Sequence, residues 1–206
     1  MSPRNALLLI DLQNDFCEGG ALAVPDGDQV IAIANRYAAE FHQRDQPVVA
    51  TLDWHPPNHG SFASVAGKPA WTEGELNGLP QVWWPDHCVQ CSEGAKFHPS
   101  LQQDLIDKRI CKGQDVNVDS YSAFYDNGHR QKTLLDSWLK QQQVTALTIM
   151  GLATDYCVKY SVMDALTLGY ATTVIAAGCR GVNLQPADSE RALNEMAASG
   201  AIIVAE

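Results

Sequence analysis

Two apolar runs, each closing on an aspartate, set the tightest limit on how this chain can fold. Asn5-Ala-Leu-Leu-Leu-Ile-Asp11 and Pro47-Val-Val-Ala-Thr-Leu-Asp53 show no alternation of polar and apolar residues. Both faces of each strand must therefore be covered, as in the interior of a parallel sheet. Between them, from about Asp28 to Gln43, Val30, Ile33, Ala34, Tyr37 and Phe41 recur at helical spacing and mark an amphipathic helix. Strand, helix, strand in this order makes a right-handed crossover and a parallel pair.

The alternation returns in the second half. Lys108 to Lys112 reads as a short strand, followed by a loop from Gly113 to Asn127. A helix then runs to about Gln142 with the stripe Leu135, Trp138 and Leu139. Val144 to Met150 is a β-branched strand, and past Gly151 a helical pattern runs to its stop at Gly169. A strand at Tyr170 to Ala176, a Gly-rich turn at Gly178 to Gly181, a helix capped by Asp188 and a strand at Ala201 to Ala205 complete the chain. Six strands alternating with helices predict one domain over residues 1–206. Its class is α/β, a three-layer αβα sandwich around a six-stranded, mainly parallel, Rossmann-like sheet.

Residues 54 to 107 break the pattern. They hold six of the ten prolines and four of the five tryptophans, with little periodicity beyond a short helix at Ser100 to Asp107. A loop region that long inside a compact domain is normally functional, and here it is expected to form the wall and lid of a pocket.

Composition narrows the partner. A net charge of −10 with no Lys or Arg cluster argues against nucleic acid and anionic membranes, which leaves a small molecule. The apolar run at Ala6 to Ile10 is too short for a signal-peptide core or a membrane span, so the cytoplasm is the expected compartment. There the six cysteines should be thiols. The oligomeric state is not set by the sequence, and a homo-oligomer stays open.

In open parallel sheets ligands bind beyond the C-terminal ends of the strands. Asp11, Asp53, Lys112 and Cys157 each fall at or just past such an end. Thr154 suits an N-cap and Asp155 a first turn, so Cys157 lies near a helix start whose N–H groups and dipole favour the thiolate. A carboxylate at Asp11 can take a thiol proton and return it to a leaving group, and the Lys112 ammonium stabilises both charges. Without Cys157 the same Asp and Lys would read equally well as a structural ion pair.

Asp53-Trp54-His55 puts a carboxylate and an imidazole on one side of an extended chain, with His87 and His59 as the nearest further ligands. One Asp and two His, with water in the remaining positions, suit Zn²⁺, Fe²⁺ or Mn²⁺. Cys88-Val-Gln-Cys91 has no second pair and no following helix start, so a structural role is preferred over a redox or metal one.

Six segments carry a resemblance: Leu9-Ile-Asp-Leu-Gln-Asn-Asp-Phe16, Asp53-Trp-His-Pro-Pro-Asn-His-Gly-Ser-Phe62, Trp84-Pro-Asp-His-Cys88, Lys112-Gly113, Asp119-Ser-Tyr-Ser-Ala-Phe124 and Gly151-Leu-Ala-Thr-Asp-Tyr-Cys-Val158. In this order the chain resembles the nicotinamidase (pyrazinamidase) family of isochorismatase-like cysteine hydrolases, and looks close to the enterobacterial type. The resemblance implies an isochorismatase-like fold and a triad of Asp11, Lys112 and Cys157. It also implies one divalent metal ion, Zn, Fe or Mn, held by Asp53, His55 and His87. His59 is a ligand in some relatives, with water in that place in others. A cis peptide at Leu152-Ala153 and an oxyanion hole from the N–H groups of Ala153 and Cys157 are implied as well, as are Phe16, Trp71 and Tyr121 walling the ring of nicotinamide. The implied reaction is hydrolysis of nicotinamide to nicotinate and ammonia through a Cys thioester, in NAD salvage, with pyrazinamide as a second substrate. A metal-free carbamoyl or ureido amidase of the superfamily would keep the triad without needing Asp53, His55 and His87. An isochorismatase proper would not need Cys157, and a non-enzymatic thiol or zinc module would rest on Cys88 and Cys91.

Overall fold

The computed structural model describes residues 4–206. Six parallel strands form its centre, β1 (Arg4–Ile10), β2 (Val48–Asp53), β5 (Lys108–Lys112), β6 (Val144–Leu152), β7 (Ala171–Arg180) and β8 (Ile202–Val204). Their order across the sheet is β5-β2-β1-β6-β7-β8, with every neighbouring pair parallel. The chain first works outward through β2 to β5, then returns to the other side of β1 with β6. The switch point therefore falls between β1 and β6, where a parallel sheet opens a crevice at its C-terminal edge.

Burial explains the apolar runs. Residues Ala6 to Ile10 of β1 and all of β2 are buried, as strands covered on both faces must be. Helix α1 (Gln29–Gln43) packs on β1, β2, β6 and β7 through Val30, Ile31, Ala34, Ala38 and Phe41. Helix α3 (Leu135–Gln141) meets β6, α4 (Lys159–Thr167) meets β7, and α5 (Asp188–Ala198) meets α4 and β8. Strand β7 touches both α1 and α4, so it lies between the two helical layers.

Three expectations from the sequence change. The stretch 54–107 is not without structure: it contains the short helix α2 (Ala63–Ala66) and an antiparallel hairpin of β3 (Glu73–Leu76) and β4 (Leu79–Val82). Asn77 and Gly78 turn that hairpin at φ of 51° and 84°, the left-handed pair that a two-residue hairpin turn demands. The helix expected at Ser100 to Asp107 is only a 3₁₀ turn, Gln103–Leu105. The Gly-rich turn expected at Gly178 to Gly181 is largely absorbed into β7, which runs on to Arg180. The register jumps there from Ile149↔Val174 to Gly151↔Cys179, and Gly178 makes room: a Cβ on it would sit 2.9 Å from the Met150 side chain.

Gly151 is the most constrained residue in the sheet. Its φ is +135°, and an added Cβ would lie 2.2 Å from the Ile10 carbonyl oxygen of the neighbouring strand. Gly151→Ala should destabilise the fold by about 3 kcal/mol or more, combining backbone strain with a backbone clash. Gly78→Ala meets nothing within 4 Å and should cost only about 1 kcal/mol through its φ. Paired thermal melts check this, with the Gly151 variant expected to melt roughly 6–12 °C lower.

Candidate active site

Four side chains meet beyond the strand ends, and their positions follow from the topology. Asp11 leaves β1 at φ 49°, a left-handed conformation rare outside glycine. The Asp11 N–H donates to Thr51 Oγ1 at 3.1 Å, and the Thr51 hydroxyl donates back to Asp11 Oδ1 at 2.5 Å. This chelate from the adjacent strand fixes the carboxylate and leaves Oδ2 facing inward. Lys112 ends β5, on the far side of β2 from β1, and its side chain reaches the carboxylates at the ends of both.

Lys112 Nζ lies 2.9 Å from Asp11 Oδ2, 2.7 Å from Asp53 Oδ1, 2.9 Å from the Ser120 carbonyl oxygen and 3.4 Å from Cys157 Sγ. Asp11 Oδ2 faces the Lys112 ammonium as an ion pair. The donor atoms of Asp11, Asp53 and Cys157 all lie within 4.8 Å of one another, close enough for a proton to pass between thiol and carboxylate. Acid, amine and thiol, distant in the chain, are thus brought together.

Burial first, and the Asp11 and Asp53 carboxylates after it, push the Cys157 thiol well above its ordinary range against the pull of Lys112. This direction favours the thiol, whose proton a base such as Asp11 must take, over the thiolate that a helix start favours. The turn that carries it is also not α-helical. Thr154–Val158 forms a π-helical turn, with Ala153 rather than Thr154 in the cap position, and α4 begins only at Lys159. Burial raises Asp11 too, with Lys112 opposing, which makes its carboxylate a stronger base. Burial disfavours the Lys112 ammonium, but Asp11 and Asp53 outweigh it and keep the amine charged.

Beside this cluster three further groups converge. The Asp53, His55 and His87 donor atoms lie within 4.8 Å of one another, and all three residues are buried. His55 Nδ1 is 2.7 Å from the Gly113 carbonyl oxygen, and His87 Nδ1 is 2.7 Å from that of Pro85. A carbonyl only accepts, so each Nδ1 carries the proton and each Nε2 turns a lone pair toward Asp53 Oδ2, at 3.4 and 3.5 Å. His55 Nε2 is buried with no hydrogen-bond partner. Two lone pairs and a carboxylate oxygen aimed at one point, with carbonyls fixing both tautomers, fit a divalent cation. Without one, burial opposes charge on His55, but Asp53 raises its affinity for a proton.

His55 and His87 are joined by backbone pairing: the His55 N–H donates to the Cys88 carbonyl and the Gln90 N–H to that of His55. His59 packs against His55 with the rings tilted by 42° and their centroids 4.2 Å apart, and its Nδ1 lies 2.7 Å from Ser61 Oγ. Burial, with His55 beside it, lowers the His59 pKa to about 4, so its imidazole is neutral. Cys88 is buried and Cys91 exposed, and both are free.

A narrow cleft opens onto Cys157, lined by Phe16, Leu22, Asp53, Trp84, His87, Asp119, Tyr121, Ala153, Tyr156 and Val182. Phe16 and Tyr121, two of the residues expected to wall the ring, line this cleft. The third, Trp71, lies further out: it is 44 % exposed and lines an outer groove with Tyr160 and Glu73. The buried Trp84 takes the inner position, its Nε1–H donating to the Tyr121 hydroxyl at 3.1 Å while Trp71 touches only its outer edge. The Trp84-Pro-Asp-His87 run could have revealed this, since it places Trp84 three residues from a metal-facing histidine. Thr51 and Gln13 were missed altogether. The Gln13 amide clamps the Asp53 backbone from both sides, accepting from its N–H and donating to its carbonyl, each at 2.8 Å. The peptide between Leu152 and Ala153 is cis.

Together these features define a class, a Rossmann-like α/β hydrolase with a cysteine, an acid and an amine at its switch point and a cation cradle alongside. Residues 5–205 match the isochorismatase domain family. The chain is 59% identical to the nicotinamidase of Escherichia coli, over 98% of this chain and 94% of that protein. Among solved structures, the nicotinamidase/pyrazinamidase of Acinetobacter baumanii superposes with a TM-score of 0.92 at 38% identity, covering 99% of this chain and 97% of that one. The pyrazinamidase of Pyrococcus horikoshii in complex with zinc gives 0.81 at 37% identity, with 98% and 99% covered. The chain belongs to the isochorismatase family.

Gly113 offers a direct check on the cradle. Its φ is +70°, and a Cβ there would stand 2.4 Å from His55 Cε1 and 2.7 Å from His55 Nδ1. Gly113→Ala should displace the histidine and its carbonyl partner together and weaken zinc binding about 10–100-fold. Zinc titration by calorimetry, on protein confirmed to be folded, reads the change.

Proposed function

We propose that the chain hydrolyses nicotinamide to nicotinate and ammonia, with Cys157 as nucleophile, Asp11 as proton carrier and Lys112 as the charge that holds them. Pyrazinamide, which also bears a ring nitrogen meta to a carboxamide, is a second substrate. The observation that carries this reading is Lys112 Nζ within 3.4 Å of Asp11, Asp53 and Cys157 at the floor of an aromatic cleft. The high identity to the Escherichia coli nicotinamidase supports the choice of substrate. The reaction belongs to NAD salvage, and the expected compartment is the cytoplasm. Among the described residues no helix is long and apolar enough to cross a membrane.

Asp53, His55 and His87 would hold one divalent ion, Zn²⁺, Fe²⁺ or Mn²⁺, which when bound would take the pyridine nitrogen and polarise the ring. Phe16, Trp84, Tyr121 and Tyr156 close on the ring faces and edges and exclude water. The carboxamide carbon then lies against Cys157. Asp11 Oδ2 takes the thiol proton as Sγ attacks, and the Lys112 ammonium stabilises the carboxylate–thiolate pair during the transfer. The N–H groups of Ala153 and Cys157 hold the oxyanion, each donor contributing about 3 kcal/mol to the transition state. Asp11 then gives its proton to departing ammonia, takes another from the water that attacks the thioester, and returns it to the Cys157 sulfur as nicotinate is released.

Cys157→Ala should lower ammonia release at least about 10³-fold while leaving nicotinamide binding intact by calorimetry. Turnover near that of the parent would remove the nucleophile assignment. Dialysis against a chelator should abolish activity, and add-back of Zn²⁺, Fe²⁺ and Mn²⁺ in turn identifies the ion that restores it.

The two tryptophans should also separate. Trp84→Ala, which opens the inner wall, should raise KM for nicotinamide about tenfold or more, whereas Trp71→Ala should change it less than about threefold. Steady-state kinetics on both variants decides between the inner and outer residue.

A further inference from the structure

A second group of metal-binding side chains converges outside the catalytic cluster. The donor atoms of Cys17, Asp28 and His98 all lie within 4.8 Å of one another. The three come from separate segments. Cys17 follows the 3₁₀ turn Asn14–Phe16, Asp28 immediately precedes α1, and His98 sits in the connection between β4 and β5. Two of them are held in place: the His98 N–H donates to the Leu12 carbonyl at 2.9 Å, and the Asp28 carboxylate accepts from the Glu18 N–H at 2.7 Å. Cys17 is buried, while Asp28 and His98 keep a partly open side. A surface cavity on the Asp28 side is also lined by Glu18 and Asp26, which gives a cation an anionic path inward.

We propose that Cys17, Asp28 and His98 form a binding site for a thiophilic divalent cation of the zinc type, distinct from the Asp53, His55 and His87 cradle. A thiolate, a carboxylate and an imidazole, with water as the fourth ligand, are a tetrahedral zinc set. Bonds of about 2.0–2.3 Å put tetrahedral ligand atoms roughly 3.3–3.8 Å apart. His98 Nε2 and Asp28 Oδ1 are already 3.2 Å apart, so side-chain rotation of order 1 Å closes the site around an ion. Mg²⁺ and Ca²⁺, which take oxygen ligands, should not compete.

The proton balance is explicit. In the ion-free site His98 Nδ1 lies 3.2 Å from the Ser100 N–H, and Nε2 carries the ring proton toward Asp28. Metal binding at Nε2 moves the ring's proton to Nδ1 and gives up that long contact. The thiol proton of Cys17 leaves to solvent as sulfur donates its pair to the metal. Burial and the Asp28 charge push this thiol up to about 12 in the ion-free chain, and a cation between the two opposes both effects. The site also reaches toward the cleft. Cys17 adjoins Phe16 in the cleft wall, and His98 adjoins Phe97, whose backbone bridges to Gln13, the residue that clamps Asp53.

Equilibrium dialysis against Zn²⁺ and Co²⁺ tests the site, with Cys157→Ala in every sample so that this thiol cannot contribute. Cys17→Ser and His98→Ala should each bind one ion fewer per chain than the parent. The near-ultraviolet sulfur-to-cobalt charge-transfer band should vanish in Cys17→Ser and persist in Asp53→Ala. Unchanged metal content in both Cys17→Ser and His98→Ala, or a charge-transfer band that survives Cys17→Ser, overturns the proposal. Circular dichroism of the metal-free variants confirms folding, and the partly exposed His98 supplies a substitution that leaves the core untouched.

Discussion

The structure depends on one buried ammonium. Lys112 Nζ lies inside the protein with two carboxylates and a carbonyl oxygen within 2.9 Å, and a charge so placed persists only where its partners are fixed before it arrives. The parallel sheet supplies that fixity. Asp11, Asp53 and Lys112 stand at the ends of β1, β2 and β5, three strands adjacent in the sheet, so a single register sets all three. Removing either carboxylate would leave the amine paired on one side only, at a cost of about 3–5 kcal/mol for a buried pair broken from one side. Cys157 enters from β6 across the switch point and meets a charge pattern already assembled.

Asp53 has two duties, divided between its oxygens. Oδ1 receives the Lys112 ammonium at 2.7 Å, while Oδ2 faces both histidines at 3.4 and 3.5 Å. Burial would raise this carboxyl, but Lys112 and His55 overcome it and hold the group well below the usual carboxylate range. The acid–amine–thiol cluster and the cation cradle therefore share one side chain. Anything that moves Asp53 disturbs both, which explains why the Gln13 amide grips its backbone on the N–H and carbonyl sides at once.

Much of this was legible in the sequence, for a physical reason. Strands buried on both faces write themselves as unbroken apolar runs, and a polar residue closing such a run must lie at the sheet's edge. That logic located Asp11, Asp53, Lys112 and Cys157, the Asp53-Trp54-His55 spacing with His87 nearby suggested a metal set, and the segment resemblance joined them into one site. What stayed hidden depends on contacts between distant segments. Thr51 reads as one more β-branched strand residue until Asp11 is seen beside it. Trp71 and Trp84 are equally aromatic in the sequence, and only the hairpin β3–β4 determines which faces inward. The hairpin itself was signalled by Asn77-Gly78 and was overlooked inside a proline-rich stretch. Burial and two nearby carboxylates oppose the helix-start effect on the Cys157 thiol, a balance that only the assembled site shows.

Charge balance explains why a cation cradle adjoins the catalytic cluster. Asp11 and Asp53 carry two negative charges where they are ionised, and Lys112 returns one positive charge. An interior that buries this trio is left with a net anion, which low-dielectric surroundings tolerate poorly unless a counter-charge is found. A neutral Cys157 thiol does not supply one, and neither does neutral His59. The open place for one is the Oδ2 side of Asp53, which faces both histidines at 3.4 and 3.5 Å. A proton can fill it, but the carbonyls of Gly113 and Pro85 hold both histidines with Nε2 as the open acceptor, a geometry that spends two hydrogen bonds on presenting lone pairs. A divalent ion satisfies those lone pairs and the carboxylate together. The cradle and the buried lysine are thus two answers to one electrostatic problem, set when two strand-end aspartates were placed side by side.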